Sequence, residues 1–243
     1  MSLSEQTQGT PGDGRVIEKT IPIAGVRKTI ATRMEESLKR SPQVSGFSKT
    51  DMSALVEFKQ KLASQGHNIS YTEMFVKIAA VALEQHPMLN SSRQDNKIII
   101  YKSKNIGVAI AADNGILMVP VVKNAESKSL IEISNEVKEL IKKVKTGKIT
   151  QDDMVGGTFT VSSVGMFDVD GATPILNAPE AALLAIGVIR KEPVVEDDDS
   201  IKIRPVAFLS MTLDHAVIDG VPGAKFLMTV KEIVGNPEQY LKV

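Results

Sequence analysis

The stretch SIKIRPVAFLSMTLDHAVIDG (200–220) carries the longest strand signal in the chain. Side chains alternate faces along a strand, so Ala207, Leu209, Met211, Leu213 and His215 fall on one face. The apolar members mark that face as buried. His215 then stands at the inner end of a core strand, where a loop begins. The position suits a core histidine with both ring nitrogens satisfied. It also suits an imidazole held rigidly with one nitrogen open to a channel. Asp219 reads as the N-cap of a final helix from about Val221 to Val234, because Pro222 lies in that helix's first turn. Gly220 permits a tight bend. The pattern H-x-x-x-D-G fixes only three positions and gains meaning only from its surroundings.

Working back toward the N-terminus, EDDDS (196–200) reads as a hairpin loop and AALLAIGVIR (181–190) as a buried strand. GGTFTVSSVG (156–165) reads as a strand with glycines at both ends. Leu130, Ile133, Val137, Leu140, Ile141 and Val144 line one face of a helix from about 127 to 145, with Lys and Glu on the other. NIGVAIAADNGILMVPVVKN (105–124) reads as two strands joined at Asn114-Gly115, and KIIIYK (97–102) as a short strand. Ser70-Tyr71-Thr72-Glu73 has capping-box spacing and opens a helix that ends at His86-Pro87. SALVEFKQKLASQG (53–66) is a helix opened by Ser53 and closed by Gly66, and QVSGFSKTDM (43–52) is a strand. In GVRKTIATRMEESLKRSP (25–42), Val26, Ile30, Met34 and Leu38 form an apolar helical stripe that Pro42 stops. Residues 1–20 read as a flexible tail, the remnant of a linker, and 21–243 as one domain. The expected fold is α/β, a mixed β-sheet packed by helices.

Composition removes several classes of function. Lys+Arg equals Asp+Glu at 29 each over 243 residues, which gives no general attraction to nucleic acid or anionic membrane. The chain has no cysteine, so a disulfide framework, a thiolate zinc site and a cysteine nucleophile are excluded. No apolar run approaches the ~18 residues that span a bilayer, and no basic-then-apolar signal pattern opens the sequence. The absence of cysteine fits an intracellular protein. Asp197-Asp198-Asp199 reads as a solvated turn, and Gly156-Gly157 precedes a strand rather than a phosphate-binding helix. No cluster supports a metal. Of the three histidines, His67 lies in a Gly-His-Asn turn and His86 closes a helix before a proline.

Three segments together resemble one family. DHAVIDGVPGAKFL (214–227) resembles the active-site segment of dihydrolipoamide acyltransferases, the core components of 2-oxo acid dehydrogenase complexes. GGTFTVSSVGMF (156–167), followed by TPILNAPEAALLAIGVI (173–189), resembles that family's second signature, and GVRKTIATRMEESLKRSPQV (25–44) its first core helix. The resemblance covers about 20–243 and implies a chloramphenicol acetyltransferase-like two-layer sandwich.

The resemblance implies acyl transfer between the thiols of dihydrolipoamide and coenzyme A, both as substrates. The attacking thiol belongs to the substrate, so the enzyme needs no cysteine of its own. His215 matches the family's catalytic histidine, which takes the thiol proton as general base and returns it as general acid. A hydroxyl from the GGTFTVSS segment stabilises the tetrahedral oxyanion. By position it is Ser162, with Ser163 as runner-up on the opposite side of the strand. Asp219 matches the motif aspartate and takes a structural part, pairing with an arginine near the first helix. Arg27 is the expected partner and Arg33 the alternative. Met166, Phe167, Pro174 and Ile175, with Ser163, are candidate channel-lining residues. The family forms homotrimers in which His215 of one chain would meet Ser162 of its neighbour. The trimers pack into a larger core served by lipoyl domains and by the decarboxylase and dihydrolipoamide dehydrogenase components.

The sequence departs from the family's pattern at three places. Gln43 follows Pro42 where a histidine is frequent, Ala216 follows His215 where an arginine is usual, and the C-terminal PEQYLKV (237–243) has only a modest apolar tip. No lipoyl-lysine domain precedes residue 20, so the chain reads as an excised catalytic core. Two other readings remain at this point. One is a chloramphenicol acetyltransferase-type enzyme with a hydroxyl acceptor. The other is a scaffold whose main role is assembly. Acetyl, succinyl and branched-chain versions share these motifs.

Overall fold

The computed structural model describes residues 15–113 and 115–243. Most of the expected flexible tail, and Asn114 of the expected turn, lie outside the described residues. Residues 15–24 carry no helix or strand.

The chain runs α1 (Gly25–Arg40), β1 (Gln43–Asp51), α2 (Ser53–Ser64), α3 (Tyr71–Gln85), β2 (Ser91–Gln94), β3 (Lys97–Ile100), β4 (Ile106–Val108), β5 (Ile110–Ala111), β6 (Leu117–Met118), β7 (Val121–Val122) and α4 (Leu130–Lys145). It continues with β8 (Phe159–Ser163), β9 (Ala182–Ile186), β10 (Arg190–Val195), β11 (Ile201–Asp214), α5 (Gly220–Gly235) and a short α6 (Pro237–Tyr240). Seven strands form one mixed sheet in the order β1-β11-β9-β8-β4-β7, with β10 also paired to β11. β8 is parallel to both β4 and β9, whereas β11 is antiparallel to β1, β9 and β10.

β11 organises the sheet because its 14 residues reach three partners. Its first half pairs with β10 around the expected EDDDS loop, and its second half is gripped by β1 and β9. Ala207, Leu209, Met211 and Leu213 are buried with Leu184, Phe159 and Val161 in one core beneath α2, α3 and α5. The helices present Leu55 and Phe58, Phe75 and Ile78, Phe226 and Val230 to it. Phe159 and Phe226 meet with ring centroids 5.5 Å apart. The opposite face of the sheet is smaller and more polar, with Leu176, Leu183 and Ala185 as a second cluster. The capping box at Ser70 and Glu73 is formed, and Ser129 and Glu132 form another that opens α4. Among the described residues no helix is long and apolar enough to cross a membrane.

Four sequence expectations change here. First, β11 ends at Asp214 rather than carrying its alternation through His215. The Asp214 carboxylate accepts the Ala216 N–H at 2.9 Å and its carbonyl accepts Val217 and Ile218 N–H, which closes a turn. His215 therefore leaves the pleat and is exposed. Second, the α1 stripe forms but faces outward, with Val26 and Leu38 each 54% exposed. Third, the 181–190 run breaks at Gly187, where a Cβ would stand 1.8 Å from the Asp170 carbonyl oxygen. Fourth, 105–124 forms four short strands, not two. The pair β5–β6 leaves the main sheet, where Pro120 has no N–H for a ladder. The hairpin β2–β3 had no clear signal beyond KIIIYK.

Candidate active site

β8 is the middle of three parallel strands and carries both candidate serines at its C-terminal end. Alternation puts Phe159, Val161 and Ser163 on the helix-packed face and Thr160 and Ser162 on the other. Ser163 lines a cleft of about 680 Å³ at the C-terminal ends of β4, β8 and β9. Tyr71, Ile110, Ile141, Lys145, Met166 and Phe167 also line it. Met166 is 79% exposed at the rim. Ser162 is half-buried and lies beside Ala185 on the opposite face.

The structure brings Ser163, Met166 and Phe167 together but not Pro174 and Ile175. After Phe167 the chain passes over Gly187, held by Arg190 to Asp168 at 2.9 Å and to Asp170 at 3.0 Å. It then reaches the other face, where a Cβ on Gly171 would meet Ser210 Oγ at 3.2 Å. Pro174 and Ile175 follow on that side, with Ser37 Oγ of α1 donating to the Leu176 carbonyl at 2.7 Å.

His215 is fixed by its backbone. Its N–H donates to the Pro42 carbonyl at 2.9 Å, and Asp214 N–H donates to the Ala181 carbonyl at 2.8 Å. Asp214 is buried, and Arg93 Nε of β2 stands 3.6 Å from its carboxylate. The imidazole itself is open to solvent. Asp219 occupies the N-cap position of α5 without a side-chain capping bond. Neither Arg27 nor Arg33 pairs with it within the chain. Both arginines are exposed on α1, and Arg33 lines a different cleft.

Ser162 and His215 do not meet within one chain. Ser162 is in register with Ala185, and Ala185 with Ser210, five residues before His215. Two strand spacings and five strand rises put their Cα atoms roughly 15–20 Å apart.

Of the other two histidines, His86 has a structural place. His86 closes α3, its Nε2 lies 2.8 Å from Thr229 Oγ1, and burial, then Lys225, lowers its pKa. Among the described residues no group of three or more His, Cys, Asp or Glu could hold a metal.

Sequence reasoning missed one buried acid. Glu180 is 4% exposed, and burial raises its carboxyl to about 7. Thr160 Oγ1 donates to it at 2.6 Å and Asn177 Nδ2 at 3.0 Å. The available signal was a glutamate set directly against the apolar run AALLAIG.

Residues 16–242 match the family described as 2-oxoacid dehydrogenases acyltransferase (catalytic domain). The lipoamide acyltransferase component of the branched-chain alpha-keto acid dehydrogenase complex of Bacillus subtilis is 38% identical over 93% of this chain. That match spans 54% of the relative, so the chain covers about half the length of the curated relatives it matches. A solved structure of a probable dihydrolipoamide acetyltransferase from Listeria monocytogenes superposes with a TM-score of 0.85 at 39% identity, covering 93% of this chain and 96% of that one. The dihydrolipoamide acetyltransferase of Azotobacter vinelandii superposes with a TM-score of 0.87 at 29% identity, covering 96% and 98%. Its structure was solved to examine a serine, a histidine and an asparagine in the catalytic mechanism. A chloramphenicol acetyltransferase shares the fold, with a TM-score of 0.56 at 16% identity over 83% of this chain and 94% of that one. A match running from residue 16 to residue 242 places this chain in the 2-oxoacid dehydrogenase acyltransferase family, as a catalytic domain.

Proposed function

We propose that the protein transfers an acyl group between the thiols of dihydrolipoamide and coenzyme A, as the catalytic core of a 2-oxo acid dehydrogenase complex. The observation that carries this reading is the exposed imidazole of His215, presented by the DHAVIDG turn of a chain of this family. In the Azotobacter vinelandii enzyme the named histidine and asparagine stand four positions apart, as His215 and Asp219 do here.

A neutral thiol is a poor nucleophile, and an imidazole beside it can take its proton as general base. The thiolate then attacks the thioester carbonyl carbon. The carbonyl π pair moves to oxygen and a tetrahedral oxyanion forms. Ser162 donates its hydroxyl to that oxyanion. Collapse re-forms the carbonyl and breaks the bond to the other sulfur, which takes the proton back from the imidazolium of His215. The atoms and charges balance with no metal or redox step. The cleft at Ser163, Met166 and Phe167 is the approach for one of the two long thiol substrates.

The site needs more than one copy of the chain. The separation of Ser162 from His215 within a chain supports a site in which each meets the other residue on a neighbour, and the outward stripe of α1 supplies apolar surface for such contacts. A homotrimer with three interfacial sites satisfies this geometry, and trimers packed into a larger core would be served by lipoyl domains. The Asp219–Arg27 pairing, absent within the chain, would form across the same interface.

The test is acyl transfer from acetyl-, succinyl- and branched-chain acyl-CoA to dihydrolipoamide by the purified oligomer. Transfer from one donor names the acyl class. A folded oligomer that transfers from no donor contradicts the reading.

A further inference from the structure

A buried carboxyl ties together the two segments that carry Ser162 and His215. Thr160 donates its hydroxyl to Glu180 Oε2 at 2.6 Å. Thr160 and Ser162 are two residues apart on β8, on one face. The residue after Glu180 reaches the other segment, since the Ala181 carbonyl accepts the N–H of Asp214, the neighbour of His215. Ala181 N–H in turn donates to the Ser91 carbonyl at 3.0 Å.

Two glycines make room for this arrangement. Gly107 is the register partner of Thr160, and a Cβ there would stand 2.8 Å from Thr160 Oγ1. A Cβ on Gly157 would stand 2.7 Å from Glu180 Oε1. Burying a carboxyl costs free energy that an apolar side chain of similar volume avoids. Fold stability alone therefore gives no reason for an acid at this place.

We propose that Glu180 is a positioning residue for the acyl transfer, setting the strand that presents Ser162 through Thr160 and the turn that presents His215 through Ala181. The proposal rests on the acyl-transfer reading above. Burial holds the carboxyl near 7, so its form changes in the working range. The neutral acid can donate as well as accept, whereas the carboxylate only accepts. The other charged groups lining the cavities that Glu180 lines are Arg33, Glu36 and Arg40 of α1, Arg93 of β2 and Asp214 of β11.

The test compares Glu180→Ala, Glu180→Gln and Thr160→Val with the wild-type oligomer. It measures kcat, KM and the pH profile of acyl transfer, and amide hydrogen exchange over 159–163 and 213–218. Small displacements of reacting groups cost up to ~10²-fold in rate, so Glu180→Ala is expected to lower kcat by about tenfold or more with KM within about threefold. Glutamine can keep both side-chain bonds, with its amide N–H donating to Thr160 Oγ1. Glu180→Gln should therefore restore most of kcat and alter the pH profile, which keeps only the dependence on the other groups of the site. Thr160→Val should lower kcat while keeping the carboxyl at 180, because it removes only the hydroxyl that joins the strand to Glu180. Exchange should rise in both segments of Glu180→Ala.

An assembled Glu180→Ala protein with wild-type kcat overturns the proposal. So does a glutamine variant as slow as the alanine one. If the alanine variant does not fold, Glu180→Gln and Thr160→Val decide, and wild-type kcat and pH profile in both count against it. If the wild type transfers no acyl group, the acyl-transfer reading fails on its own. The exchange comparison then judges the positioning role, and unchanged protection in both segments sinks it.

Discussion

Ser162 lies two strands across and five residues back from His215 on the same sheet, at opposite ends of the structure's central register. A single chain thus contains both groups proposed for the reaction and joins neither to the other. The arrangement makes each group's contribution separable by mutation.

Ser162→Ala should lower kcat for acyl transfer by about 10²–10³-fold, the loss expected for one oxyanion donor, while leaving KM nearly unchanged. Ser163→Ala should act mainly on KM, because Ser163 lines the cleft rather than sharing the face of Ser162. Steady-state kinetics on the two variants separates these roles. The reverse pattern would exchange the serines in the mechanism.

The α1 stripe makes a prediction about assembly. Val26→Glu and Leu38→Glu replace exposed apolar side chains with charges and create no cavity in the chain's own core. Each should leave the circular dichroism spectrum unchanged and shift the mass measured by light scattering toward the monomer. Acyl transfer should fall with the oligomer fraction. An unshifted mass in both variants would remove α1 from the interface.

Stability should depend on pH through Glu180. Its folded carboxyl is raised to about 7 from 4.5, so the folded state favours the neutral form. This contribution is fully present below about pH 4.5 and is lost as the pH rises through about 7. A shift of this size corresponds to about 2–4 kcal/mol over that window. Urea unfolding of wild type and Glu180→Gln from pH 4.5 to 8 should show the two curves diverging upward in pH, with the wild type losing more. Parallel curves would mean that the acid titrates as an ordinary glutamate.

Gly157→Ala should destabilise the chain by about 1–3 kcal/mol, an overpacking cost, because its Cβ meets Glu180 Oε1 at 2.7 Å. Gly46→Ala is the control, since nothing lies within 4 Å of a Cβ there. Thermal unfolding midpoints of both variants check the difference.

The parts legible in the sequence were those whose signal is local. β11, α4 and the capping box at Ser70 follow from alternation, helical period and residue spacing. The exposure of His215 was not legible, because alternation carries a strand forward until something stops it. Here the Asp214 side chain stops it by bonding Ala216 N–H. The period of α1 was plain, but a period cannot say whether the apolar face meets the same chain or another. Glu180 gave little sign because its partner Thr160 is 20 residues away on another segment. The opening of the 181–190 run at Gly187 depends on the Asp170 carbonyl, which again comes from elsewhere in the chain.

The most direct measurement is acyl transfer by mixed oligomers of His215→Ala and Ser162→Ala chains, each inactive or nearly so alone. If each site takes its histidine from one chain and its serine from the next, random mixing of the two in a cyclic trimer rebuilds about a quarter of the sites. Activity should then return to that fraction of wild type, far above the residual of either variant. Mixed oligomers, verified by mass, that stay as inactive as their parents would contradict a site shared between Ser162 and His215 of neighbouring chains.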